Sequence, residues 1–243
     1  MSAGTVNQNL TDKVYNWLNS VQQLLYPPHC RLCAARGEGG LDICLECLGD
    51  LPWLTPGCSL CALPLARDDE SYCGGCLARP PAFDRVVAPL RYTAPVDYLI
   101  GALKFRGSLA AGRLLGSLLA LHLQHDGEAL PQLLIPVPLH RQRLRQRGFN
   151  QARELCRPLT ASLGIPAAAL LARRRDTPAQ RELSASARRR NIRGAFTLTG
   201  PVPDHVAIVD DVMTTGSTVD EIARLLRGGG AQRIEVWVPA RAI

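Results

Sequence analysis

Eight of the chain's nine cysteines lie between positions 30 and 76, as four C-x-x-C pairs: Cys30/Cys33, Cys44/Cys47, Cys58/Cys61 and Cys73/Cys76. The gaps between successive pairs are 10, 10 and 11 residues. A C-x-x-C turn sets two sulfurs on one side of a tight knuckle, and two knuckles complete a tetrahedral four-thiolate site for zinc. A stretch this short and this dense in Gly and Pro is expected to fold only around its metals. A disulfide framework would need an oxidising compartment, and no export signal is evident at the N-terminus. Ligand type and compartment thus favour zinc over disulfides, iron or iron–sulfur clusters. Sequential pairing gives one site from Cys30, Cys33, Cys44 and Cys47 and a second from Cys58, Cys61, Cys73 and Cys76; spacing alone leaves interleaved pairing open. All eight thiolates are then spent on structure. His29 beside Cys30 reads as a surface histidine, and Cys156, alone in a helical stretch, as a core residue.

Three segments follow from patterning. Residues 1–26 include a helical stripe, Val14, Trp17, Leu18, Val21, Leu24 and Leu25, stopped by Pro27-Pro28, so an N-terminal amphipathic helix is expected. Residues 27–80 form the cysteine module, and Pro80-Pro81 is the expected linker to a domain over 81–243. No run of about 18 apolar residues occurs, so no spanning helix is expected, and the chain reads as cytoplasmic.

Charge is divided as sharply. Residues 1–80 hold five cations and eight anions, whereas 81–243 hold 23 and 13. Residues 139–193 alone carry 14 arginines against Glu154, Asp176 and Glu182. Such clustering suits a polyanion, whether phosphates or nucleic acid.

From residue 82 apolar strands alternate with helices. Strands are expected over 86–92, 133–137, 206–209 and 234–238, and helices over 96–103, 109–123, 151–163 and 218–227. That alternation implies an α/β fold with a mostly parallel sheet covered on both faces. Ligands on such sheets sit at the carboxyl ends of the strands.

The richest of those ends is Val209-Asp210-Asp211-Val212-Met213-Thr214-Thr215-Gly216-Ser217-Thr218. A buried strand delivers two carboxylates, expected to face solvent, and a small hydroxyl-rich turn then opens a helix. Hydroxyls and free N–H groups at a helix start cradle a phosphate. Two carboxylates just upstream would repel phosphate but suit the vicinal hydroxyls of a ribose, so the unit asks for a ribose 5-phosphate.

This stretch resembles the phosphoribosyl pyrophosphate (PRPP) motif of type I phosphoribosyltransferases. Around it the chain looks like the ComF competence-protein family (ComF/GntX-like), which joins an N-terminal double zinc ribbon to such a domain. Further matching residues are Pro136-Val-Pro-Leu-His140, Arg147-Gly-Phe-Asn-Gln-Ala152 and the series Thr177, Gln180, Leu183, Arg188, Asn191 and Phe196. The resemblance covers residues 25–243 and implies a five-stranded parallel sheet with a smaller hood. It assigns Asp210 and Asp211 to the ribose hydroxyls and Thr214, Thr215, Gly216, Ser217 and Thr218 to the 5-phosphate. Arg147 and Gly148 would belong to the pyrophosphate loop, and magnesium would accompany PRPP. Residues 173–191 resemble the loop that closes over PRPP, with Gln180 and Asn191 among its ligands. There Arg188 would place charge against the leaving pyrophosphate, so Asp210, Asp211 and Arg188 make the implied catalytic set. Lys104 and Arg106 would join the anion site. Thr214 stands where hypoxanthine–guanine enzymes carry a carboxylate, which disfavours that substrate class.

Two functions remain open at this level. One is a PRPP-binding protein in DNA uptake, with single-stranded DNA, a DNA-uptake helicase or other competence proteins as partners. The other is an active magnesium-dependent phosphoribosyltransferase with an unknown acceptor and no DNA role.

Overall fold

The computed structural model describes residues 27–67, 70–174 and 192–243. The chain divides after Asp50 into two compact units. In the first, helix α1 (Leu45–Gly49) starts at Cys44, whose Sγ accepts the Cys47 N–H at 3.5 Å. Cys30 and Ile43 are its best-buried apolar residues, at 3% and 1% exposure.

The second unit opens with helix α2 (Gly74–Ala78) and strands β1 (Arg85–Val87) and β2 (Leu90–Arg91). Helices α3 (Val96–Arg106) and α4 (Leu109–Gln124) lead to β3 (Leu133–Pro136), α5 (Arg141–Arg147) and α6 (Gln151–Leu163). A hairpin, β4 (Leu171–Arg173) with β5 (Phe196–Leu198), precedes β6 (His205–Val209) and β7 (Val212–Met213). Helix α7 (Ser217–Gly228), β8 (Arg233–Trp237) and β9 (Ala240–Arg241) close the chain.

Four strands form a parallel sheet in the order β1-β8-β6-β3, with Pro136 opposite Val209 and Val209 opposite Trp237. A single parallel bridge, Leu134 to Ala167, extends its edge where a fifth strand is expected. Strand β6 is buried from Val206 to Val209, as a central parallel strand must be. Val206, Ile208, Ile234 and Val236 share a core with Val219, Ile222, Ala223 and Leu226 of α7. The residues between them point to the opposite face. There α4 packs on both α3 and α6, and α6 lies against β3 and β6. Glu235 is fully buried on that face, yet it is paired by Arg85 Nε, His205 Nε2 and Trp237 Nε1 at 2.9–3.0 Å.

The sheet is interrupted along one row. The strand expected over 86–92 breaks at Ala88-Pro89, and β8 breaks from β9 at Val238-Pro239. Proline has no N–H to give a ladder, which ends regular pairing at both positions. Beyond the row, β2, β9 and β7 repeat the parallel order of β1, β8 and β6. In the third strand the break falls at Asp210-Asp211. Both carboxylates therefore leave the backbone where the sheet opens.

Candidate functional site

The carboxyl ends of β3 and β6 are held level by the Val137 N–H, which donates to Val209 O at 2.9 Å. An open cleft of about 650 Å³ lies over them. Its lining includes Asp210, Asp211, Lys104, Arg143, Arg147 and Thr218. The sequence expectation that both carboxylates face solvent is corrected here. Asp210 is half-buried, but Asp211 is only 3% exposed and its Oδ2 pairs with Lys104 Nζ at 2.8 Å. At the break between β6 and β7, Asp211 turns inward to meet Lys104. Burial, and then the neighbouring Asp211 charge, push the Asp210 carboxyl well above the ordinary carboxylate range, against the pull of Lys104.

The segment expected as a turn after β3 contains a helix that the sequence reading missed. Helix α5 is capped by His140, whose Nδ1 accepts the Gln142 N–H, and it ends at Gly148 with φ +82°. Only glycine takes that left-handed conformation freely. On this helix Arg143 and Arg147 sit one turn apart and line the cleft, whereas Arg141 and Arg145 are exposed away from it. Arg147 donates to Gln151 Oε1 at 2.6 Å and stacks over Phe105, 5.7 Å from the ring centroid. Burial lowers the Arg147 guanidinium's affinity for its proton, and the Asp211 charge restores part of it. Asn150 fixes the next helix, its Oδ1 capping Ala152 N at 3.0 Å and its Nδ2 donating to Val137 O at 3.0 Å. Lys104 thus belongs to this group, but Arg106 does not: it covers the Tyr98 ring at 4.5 Å.

Thr214 and Thr215 are exposed at the start of α7, and Thr215 Oγ1 lies 2.9 Å from Ser217 Oγ. The first N–H groups of α7 have no acceptor inside the helix, as at any helix start. Gly216 has φ +73°, and a Cβ there would sit 2.6 Å from Met213 Cε. The conformation is what requires glycine, since the Met213 methyl is the end of a flexible side chain. Arg241, two residues from the C-terminus and 4% exposed, reaches this loop from behind. No local signal in the sequence marked it. Gln180, Arg188 and Asn191 lie outside the described residues, as does the stripe expected over 10–25.

The eight paired cysteines form two clusters in sequential order, Cys30, Cys33, Cys44 and Cys47, and Cys58, Cys61, Cys73 and Cys76. In each, the four Sγ atoms lie within 4.8 Å of one another. Cys33 and Cys44 approach to 3.6 Å, as do Cys61 and Cys73. Tetrahedral zinc with bonds of about 2.3 Å needs sulfurs about 3.8 Å apart, so both sets fit the ion. Burial opposes ionisation of Cys30, yet N–H groups of Cys33, Cys44 and Leu32 outweigh it and bring the thiol down to about 6. Cys58 is brought down to about 7 in the same way, by Cys73, Cys61 and Leu60. The first cysteine of each cluster is therefore the one held closest to the thiolate that a metal needs. His29 is in neither cluster, and Cys156 is 2% exposed in the helical core.

Residues 21–77 match the double zinc ribbon domain and residues 146–242 the phosphoribosyl transferase domain. The chain is 40% identical over 220 residues to "DNA utilization protein YhgH" of Salmonella typhimurium and of Escherichia coli K12. It is 37% identical over 223 residues to "Competence protein F" of Haemophilus influenzae. Each alignment spans 88% of this chain and 96% of the relative. Among solved structures, the allosteric regulatory enzyme of purine biosynthesis covers 53% of this chain at 21% identity with a TM-score of 0.36.

Proposed function

Since the chain belongs to the family of competence protein F and DNA utilization protein YhgH, we propose that it is a PRPP-binding member of that family acting on DNA in the cytoplasm. The single observation that carries the PRPP half is the placement of Asp210 beside the hydroxyl-rich turn at residues 214–218. Ribose hydroxyls donate to the Asp210 carboxylate, which gives up its raised-pKa proton as the ligand binds. The 5-phosphate accepts from the hydroxyls and free N–H groups at the start of α7, helped by the helix dipole. Arg143 and Arg147 stand across the cleft, where a diphosphate would extend. Magnesium fits this reading, because it prefers substrate phosphates plus one or two carboxylates. Its chemistry would be to neutralise the diphosphate; Asp210 is the residue free to share in holding it, since Asp211 is engaged by Lys104.

Asp210→Asn tests this. It keeps the volume and removes a charge-assisted acceptor, which costs about 2–3 kcal/mol, or about 30- to 140-fold in affinity. Calorimetry with magnesium and PRPP is expected to show that loss with an unchanged melting curve. Undiminished affinity would refute the site assignment.

The DNA half rests on α5. Its arginines divide between the exposed Arg141 and Arg145 and the cleft-lining Arg143 and Arg147, the latter beside Phe105, which is 72% exposed. Contacts of this kind reach phosphates and carry no sequence preference. Four phosphate contacts on a single strand predict a log–log salt slope of about −3, or about sixtyfold weaker binding between 50 and 200 mM salt. Arg141→Ala with Arg145→Ala is expected to flatten that slope by about 1.4. Salt-independent binding, or none at low salt, would remove the nucleic-acid role.

A second reading, catalysis, is favoured by the space in the cleft beside Phe105 and Phe149, which leaves room for an acceptor. Acceptor-dependent release of pyrophosphate from PRPP, measured over bases, amines and DNA, separates an enzyme from a binding module.

A further inference from the structure

Arg241 is a buried cation that donates to four carbonyl oxygens and also meets the side chain of Cys61. Nε donates to Cys61 O at 3.0 Å, and Nη1 donates to Met213 O at 2.9 Å, to Ala242 O at 2.6 Å and to Thr214 O. One guanidinium thus joins a knuckle of the second cysteine cluster to the two residues that open the hydroxyl-rich turn. Cys61, Cys73, Thr215, Gly216, Ser217 and Arg241 also line one small hollow of about 200 Å³.

Two physical consequences follow. In a trans peptide the C=O and the next N–H point in opposite directions. Gripping the carbonyls of Met213 and Thr214 therefore turns the N–H groups of Thr214 and Thr215 away from Arg241, in the sense needed to meet an anion on the other side. A buried guanidinium surrounded by neutral acceptors also needs a counter-charge nearby. Zinc held by four thiolates is a net anion, and the knuckle that Arg241 touches belongs to such a set.

We propose that Arg241 is a positioning residue that couples the second zinc site to the anion-binding turn, so that metal occupancy at Cys58, Cys61, Cys73 and Cys76 and anion binding at residues 214–218 strengthen each other. The inference rests on the reading of that turn as a phosphate site. By thermodynamic linkage, the factor by which zinc tightens the anion equals the factor by which the anion retains zinc.

The test uses the full zinc-loaded chain with Arg241→Met and Arg241→Lys. Chelator-driven exposure of cysteines is followed by alkylation and mass spectrometry, with and without saturating magnesium and PRPP. In the wild type, ligand is expected to slow labelling of Cys58, Cys61, Cys73 and Cys76 at least fivefold and to leave Cys30, Cys33, Cys44 and Cys47 unaffected. In Arg241→Met that protection is expected to vanish and PRPP affinity to fall at least tenfold. Arg241→Lys is expected to restore part of both, because it returns the charge without the fork. Ligand protection that persists in Arg241→Met overturns the proposal. If the wild type binds no PRPP, that reading fails separately, and hydrogen exchange of residues 213–218 decides the coupling. Exchange at least tenfold faster in Arg241→Met, with β6 unchanged, supports it; unchanged exchange refutes it.

Discussion

Chelation of the purified protein is expected to release two zinc ions per chain, and loss of the second to destabilise far more than the ribbon that holds it. Cys58, Cys61 and Cys76 are buried in one core with Phe83, Val86, Met213, Val219 and Val238. Leu60, Leu63 and Leu65 of the same ribbon pack against that core. Structural zinc contributes about 10–16 kcal/mol to small ribbons, comparable to the whole stability of a typical domain. Without it the knuckles have no means to stay closed, and the apolar surface they cover is exposed. Melting of residues 51–243 should therefore shift down by more than 10 °C, with lost exchange protection reaching α7 and β8. The shared core is the reason the loss is expected to spread beyond residues 27–80. Cys30→Ser with Cys33→Ser is the control, since its cluster belongs to the first compact unit. It should retain one zinc by elemental analysis and leave the melting of residues 51–243 unchanged. An apo protein that melts like the holo form would refute the argument.

Asp211→Asn is expected to destabilise the second unit by about 3 kcal/mol, and Lys104→Met added to it should recover most of that loss. Asp211 is almost wholly enclosed and Lys104 one-fifth exposed, at 2.8 Å. Removing one member of such a pair leaves a desolvated charge, a cost of about 3–5 kcal/mol, here at the low end because Lys104 keeps contact with water. For a unit of this size the shift in Tm is about 6–12 °C. The double variant removes the orphaned ammonium and fills the space with an apolar chain. Thermal unfolding of the two single variants and the double variant measures the coupling. Additive losses would mean that the pair is not the interaction holding Asp211.

The two predictions also separate the carboxylates. Asp210→Asn should lose ligand with its fold intact, whereas Asp211→Asn should lose stability first. Reading the adjacent pair as equivalent ligands hides that difference.

Much of the molecule was legible in order of residue spacing. Cysteines two apart, repeated four times, specify knuckles whatever the rest of the chain does, because the turn geometry is local. Apolar runs at 133–137, 206–209 and 234–238 become strands of the parallel sheet, since such runs satisfy burial only between helical layers. The carboxylate pair followed by hydroxyls and Gly216 forms the turn it describes, because Gly216 and the helix start are determined within a few residues.

What the tertiary structure alone decided involves partners far apart in the chain. Helix α5 carries arginines and glutamines with one leucine and no apolar stripe, so periodicity could not announce it; its caps, His140 and Gly148, set it. Which of its arginines face the cleft follows only from its docking. Arg241 meets Cys61 across 180 residues and Met213 across 28, and Lys104 meets Asp211 from another helix altogether. Residue spacing determines what closes locally: knuckles, caps, strands and turns. Folding decides which charges are taken from water and which partners they then require, because desolvation is a property of the packed core and not of any segment within it.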